Sequence, residues 1–361
     1  MIKDSQQKQK AARYCVASGY VPFPEVVVRY SGDISETSAD ITDIDVLGVK
    51  PAGEALAKRI AFDCKTQNKI SAISRALWAA GMRQLVHADE AFVILSRAAP
   101  DGHRLAANEL GVRLFSEKLF DNFAKSASTD YLEGITYLDE PTVWEEFRAL
   151  GTKYKGLEPL VTFLLSEGPL ERDATSGFRT LLSRLKATEG EIDPTKPAHR
   201  MLYGAMVSQA LLFLSEMVRE FHTVFDPAME RAQFEVLLRN YIWGGKEGYA
   251  LRQRLHAALV VNKGTDESAP FSLPGWDKLV ELIRSMLDAP LLVGSAALPV
   301  KDLAFREVSS RRELADKRIQ SEFKANNRAR QFAIQTNRYL GSLSRMLREC
   351  ADHYANELGA A

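Results

Sequence analysis

Asp45 and the triplet Asp63-Cys64-Lys65 are the residues whose types and spacing best suit chemistry. Asp45 sits in the run Ile41-Thr-Asp-Ile-Asp-Val-Leu-Gly-Val49, and Asp63 and Lys65 end Arg59-Ile-Ala-Phe-Asp-Cys-Lys65. Both runs read as strands. Alternate residues of a strand share a face, so Asp63 and Lys65 point the same way. If the two strands are neighbours, Asp45 joins them. Two carboxylates and an ammonium converging at a sheet edge suit a divalent metal and a phosphodiester.

The surrounding pattern supplies elements that would hold them there. Lys8 to Ala17 reads as a short helix stopped by Gly19. Glu25 to Tyr30 is β-branched and strand-like. Lys50-Pro-Ala-Gly53 has turn chemistry between the two acid-bearing strands. Ile70, Ile73, Leu77, Trp78 and Leu85 fall at helical spacing. Glu90 to Ser96 is a short apolar run suited to a buried strand. His103 to Ala124 reads as one helix. The first three strands fit a meander, and the helix before the fourth provides a βαβ crossover. The expected fold is an α/β domain over 1–126 in the order α-β-β-β-α-β, then a mainly α-helical domain over 127–361. Pro197 to Val224, Ala228 to Trp243 and Trp276 to Leu287 are its clearest helices. Ser310-Arg-Arg-Glu313 matches a capping box and would open a long C-terminal helix, with an interruption allowed.

Composition excludes several classes. The 47 basic and 47 acidic residues cancel, so the whole molecule carries no nucleic-acid signal. Local charge differs. Lys58, Arg59, Lys65, Lys69, Arg75 and Arg83 face only Asp63 among acids from 58 to 83. A basic rim of this kind attracts a phosphate backbone, with Lys69 and Arg75 as the candidate contacts. The blander meaning is a solvated helix face. Arg328, Arg330, Arg338, Arg345 and Arg348 form a second acid-free run. There Arg328 and Arg330 are candidate nucleic-acid contacts, and a packed helix with an exposed basic face is the plainer alternative. Cys15, Cys64 and Cys350 are odd in number and far apart, which fits a reducing cytoplasm and no disulfide framework. The polar N-terminus lacks the apolar core of a signal peptide. No apolar run is expected to reach the ~18 residues of a membrane span. Walker and Gly-x-Ser-x-Gly motifs are absent.

The run 41–49, the Asp63-Cys64-Lys65 strand end, the amphipathic helix after it and the strand 90–96 together resemble the PD-(D/E)XK nuclease superfamily. The likeness is greatest to restriction-endonuclease-like domains of the Mrr kind, and it covers about the first 125 residues. It implies that Asp45 is the first metal-binding acid, Asp63 the acid of (D/E)XK and Lys65 its lysine. Gln67 and Glu25 match polar positions that some members add. The nominal proline before the first acid is Ile44 here. Asp43 shares the face of Asp45, so either acid is open as the ligand, with Asp45 deeper in the apolar run. The carbonyl of Cys64 offers a further oxygen, and Lys65 would orient water or stabilise transition-state charge. The implied activity is Mg²⁺- or Mn²⁺-dependent hydrolysis of nucleic acid, DNA before RNA, in restriction, repair or phage defence. The helical part would then serve a homodimer, a protein partner or the substrate, with no membrane. Two other meanings stand beside it. One is an inactive nuclease fold acting as a scaffold in a larger complex. The other is a helical interaction protein in which Asp63 and Lys65 form a surface pair worth ~0–1 kcal/mol.

Overall fold

The first helix of the chain, α1 (Ser5–Ala17), turns Gln7, Lys8, Ala11, Ala12, Cys15 and Val16 inward. It ends before Gly19, whose φ of +76° suits glycine best. The computed structural model describes residues 4–30, 39–65, 71–128, 131, 136–224, 226, 229–261, 271–311 and 318–360. Strands β1 (Val21–Tyr30), β2 (Ala39–Lys50) and β3 (Lys58–Lys65) pair antiparallel in sequence order. Helix α2 (Ala72–Leu85) is capped by Ser71, whose hydroxyl accepts from the Ser74 N–H. It leads to β4 (Glu90–Leu95), which runs parallel to β3.

The expectation of one helix from His103 to Ala124 is overturned. That stretch holds α3 (Asp101–Glu109), β5 (Val112–Ser116) and α4 (Glu117–Ala127). Gly111, at φ +67°, follows the end of α3. The alternating run that follows buries Val112 and Leu114 with Ala76, Ala79 and Ala107 on one face. Phe115 packs on the other face, beside Phe120 and Phe123. Strand β5 pairs parallel with β4, completing a mixed sheet of order β1-β2-β3-β4-β5.

The remainder is mainly helical. It runs through α5 (Pro141–Lys153), α6 (Glu158–Thr162), a π-turn at Phe163–Glu167, α7 (Gly168–Leu170) and α8 (Ala174–Thr188). It continues with α9 (Pro197–His222), α10 (Arg231–Ile242), α11 (Lys246–Val261), α12 (Trp276–Leu287) and α13 (Ala297–Arg306). Among the described residues, the C-terminal run is three helices rather than one: α14 (Ile319–Ala325), α15 (Asn327–Gly341) and α16 (Arg345–Ala360). Asn326 interrupts it, because its side chain accepts from the Ala329 N–H and starts a new helix. The helix that Ser310 is expected to cap would begin in residues 312–317, outside the described residues. The N–H and hydroxyl of Ser310 donate to Glu140, and Glu313 lies outside the described residues. Contrary to expectation, α9 is long and apolar enough to cross a membrane by length and composition. Within the fold, 94% of that apolar stretch is buried, as the central helix of a protein core would be.

Two layers enclose the sheet. On one face, Ala11, Cys15, Phe120 and Ala124 cover Val46, Phe62, Cys64, Phe92 and Ile94. On the other, α2 and α3 cover β4 and β5, while Phe23, Val26, Leu47 and Val49 continue into the helical core around α9. Gly48 sets how closely α1 lies on β2. A Cβ there would stand 2.8 Å from Cys15 Sγ and 2.8 Å from Ile60 Cγ1. Gly48→Val is therefore expected to cost about 1–3 kcal/mol of stability in urea unfolding, through overpacking. An unchanged midpoint would show that α1 does not rest on this point.

Candidate active site

Val46 lies opposite Phe62 in the β2–β3 ladder, and the next step of that register sets Asp45 opposite Asp63. Both acids are buried, Asp45 at 4% and Asp63 at 2% exposure. Buried carboxylates need hydrogen bonds and cations. The Cys64 N–H donates to Asp45 Oδ2 at 2.7 Å. Lys65 Nζ lies 3.2 Å from Asp45 Oδ2 and 3.4 Å from Asp63 Oδ1, so one ammonium bridges acids from neighbouring strands.

Two further cations arrive from the helices. Arg75, near the start of α2, forks onto Asp63: its Nε donates to Oδ2 at 2.8 Å and its Nη2 pairs with Oδ1. The guanidinium also lies 4.4 Å from the ring centre of Trp78. Lys8, from α1, places Nζ 2.9 Å from Asp45 Oδ1 and pairs with Glu25 as well. Gln7 beside it donates to the Lys65 carbonyl at 3.3 Å and to Glu117 Oε1 at 3.0 Å. Glu25 falls opposite Asp45 in the β1–β2 register, between the pairs Pro24–Val46 and Val26–Ile44. Its φ of +57° is left-handed backbone in mid-strand, which costs on the order of 1–3 kcal/mol and persists only where the surroundings impose it.

The balance of charge shows in the titration. Burial raises Asp63 above the ordinary carboxylate value, against the opposing pull of Arg75 and Lys65. Burial also works to lower Lys8 and Lys65. Asp45 and their second carboxylate partners outweigh it, so both ammoniums are held above the ordinary lysine value. Three acids thus face three cations. Lys65 is the most open of these cations, its side chain 34% exposed against 8% for Lys8 and 12% for Arg75.

Among the described residues, no three His, Cys, Asp or Glu side chains converge on one metal position. The donor chemistry still fits Mg²⁺ or Mn²⁺. Two carboxylates meet at one point already taken by an ammonium, and Mg²⁺ commonly keeps several waters beside one or two carboxylates. Asp45 and Asp63 would hold such an ion.

The other expected residues divide. Asp43 is exposed, opposite Val27, and stands apart from the cluster that Asp45 joins. Glu25 enters the cluster through Lys8. Cys64 meets Asp45 through its N–H, and its thiol is buried in the apolar layer with Phe62 and Phe92. Gln67 and Lys69 lie outside the described residues. Arg75 is not a free backbone contact, because the buried Asp63 engages its guanidinium. Arg328 and Arg330 are on α15, where they meet Asp288 at 3.1 Å and Asn327 at 3.2 Å. They belong to the helical part rather than to this cluster. Lys8 and Gln7 were missing from the expectation. Their signal is the helical stripe of Ala11, Ala12, Cys15 and Val16, which continues one turn back onto two polar residues.

No protein-family model, curated protein or solved structure matches the chain.

Arg75→Ala leaves a buried carboxylate without its bidentate partner and is expected to cost about 3–5 kcal/mol in urea unfolding. Adding Asp63→Asn should recover most of that loss. A double variant as unstable as the single one would refute the pairing as the cause.

Proposed function

We propose that the chain is a metal-dependent nuclease of the PD-(D/E)XK type, with a restriction-endonuclease-like fold in its N-terminal region, hydrolysing phosphodiesters of nucleic acid, DNA before RNA. The supporting observation is the bridging ammonium: Lys65 Nζ sits 3.2 and 3.4 Å from acids on two adjacent strands, at a partly open point of an otherwise buried cluster. When bound by Asp45 and Asp63, Mg²⁺ or Mn²⁺ supplies charge neutralisation at the phosphoryl group and an acidified water. The residues of the chain do the rest. Lys65, the most open of the three cations, would offer its ammonium to a phosphoryl oxygen, where charge develops in the transition state. Arg75 fixes Asp63, and the Cys64 N–H fixes Asp45, so both carboxylates are oriented before substrate arrives. Domains over 1–126 and 127–361 remain the working division, with the helical part serving a protein partner or a second copy. All three cysteines are buried and unbonded, in keeping with a cytoplasmic protein.

A second reading is a nuclease fold without catalysis, acting as a scaffold. The ion pairs that engage all three acids favour it. One assay separates the two. Purified protein is incubated with duplex DNA, single-stranded DNA and RNA in Mg²⁺ or Mn²⁺. Cleavage of at least one substrate is expected, falling by about 10²–10³-fold in Lys65→Ala. Asp63→Asn should fall at least as far. If wild type and Lys65→Ala give the same products at the same rate, this site performs no catalysis.

A further inference from the structure

Asp45 has no free side in the cluster. Its Oδ2 takes the Cys64 N–H at 2.7 Å and Lys65 Nζ at 3.2 Å, and its Oδ1 takes Lys8 Nζ at 2.9 Å. Lys65 is partly exposed and can move toward solvent. Lys8 cannot, because its side chain is only 8% exposed. The one other carboxylate it touches is Glu25, itself partly open at 26%. Glu25 is also the residue held at φ +57° opposite Asp45. Backbone strain of this sort persists where surroundings impose it, and it commonly marks a functional position. Asp45, Asp63 and Glu25 are met by Lys8, Lys65 and Arg75, and Arg148 acts on Glu25 as well, so the cluster carries no excess negative charge before any metal arrives. A divalent ion entering it adds positive charge next to the Lys8 ammonium, whose other carboxylate partner is Glu25.

We propose that Lys8, shared between Asp45 and Glu25, is a resident counter-cation that competes with a divalent ion for Asp45, and that Glu25 holds the ammonium once the ion is bound instead of ligating the metal. This rests on the nuclease reading and adds a regulatory step to its site. Metal uptake is set by a competition inside the protein. Lys8 opposes the ion, and Glu25 favours it by drawing Lys8 away. The competition is reciprocal: the metal weakens the Lys8–Asp45 contact by the factor by which that contact weakens the metal.

A double-mutant cycle read by Mn²⁺ calorimetry on the full chain tests this. Lys8→Met is expected to bind Mn²⁺ at least about fivefold more tightly than wild type. Glu25→Gln should weaken Mn²⁺ in the presence of Lys8 and have no effect in the Lys8→Met background. Circular dichroism and urea unfolding check that each variant folds. Should Lys8→Met alone fold poorly, Lys8→Met/Glu25→Gln removes both charges together, and it should still bind Mn²⁺ more tightly than Glu25→Gln. The proposal is overturned if removing Lys8 brings no gain in affinity. It is equally overturned if Glu25→Gln weakens binding to the same extent with and without Lys8, which would make Glu25 a ligand. Asp63→Asn separates the levels. Mn²⁺ binding that depends on Asp63 but ignores Lys8 removes this inference alone, whereas binding unaffected by Asp63→Asn removes the metal site with it.

Discussion

Two carboxylates buried where β2 and β3 meet must be balanced by cations, and the N-terminal region is arranged to deliver them. Each cation comes from a different element: Lys8 from α1, Lys65 from β3 and Arg75 from α2. Small side chains allow the close approach. Ala11 and Cys15 set α1 over one face of the sheet, and Ala76 and Ala79 set α2 over the other. Burial alone would penalise these acids heavily, so the ion pairs and the fold are mutually dependent. The pairing makes a pre-oriented site whose carboxylates are held in place before any ligand arrives.

The helical part is joined to this region through shared core and buried charge. Phe23 and Leu47 of the sheet lie in the same apolar cluster as α9. Asp139, before α5, pairs with Arg13 of α1 and with Arg311, 2.8 Å away. Lys301 of α13 is 2% exposed, donates to the Pro22 carbonyl at 3.2 Å and lies over the Phe23 ring. Burial holds its amine well below the ordinary lysine value.

The acid-bearing strands, α2 and β4 were legible as elements because their patterns are local, but the inward face of α2 was not: Leu77 and Leu85 are exposed, and the buried stripe is Ala76, Ala79 and Met82. Strand β5 was hidden because five residues between two helices show little periodicity, and Leu110, Leu114 and Leu119 mimic a helical stripe. Gly111 was the available clue. The deeper gap was Lys8. A lysine on a polar helix looks solvated until the sheet opposite presents Asp45, a contact 37 positions away in sequence. The charge of Arg75 was visible in the sequence, while its buried partner Asp63 was a matter of tertiary packing. Neither the three-helix break of the C-terminal run nor the pairing of Arg328 with Asp288 had a local signature strong enough to read.

A crystal structure of the full chain grown with Mn²⁺, with anomalous scattering to locate the ion, is the most direct test of the central claim. One peak is expected about 2 Å from carboxylate oxygens of both Asp45 and Asp63, with Lys8 turned onto Glu25. An ion ligated by Asp43, or an Asp45–Lys65–Asp63 bridge left intact with no ion beside it at saturating Mn²⁺, would contradict it.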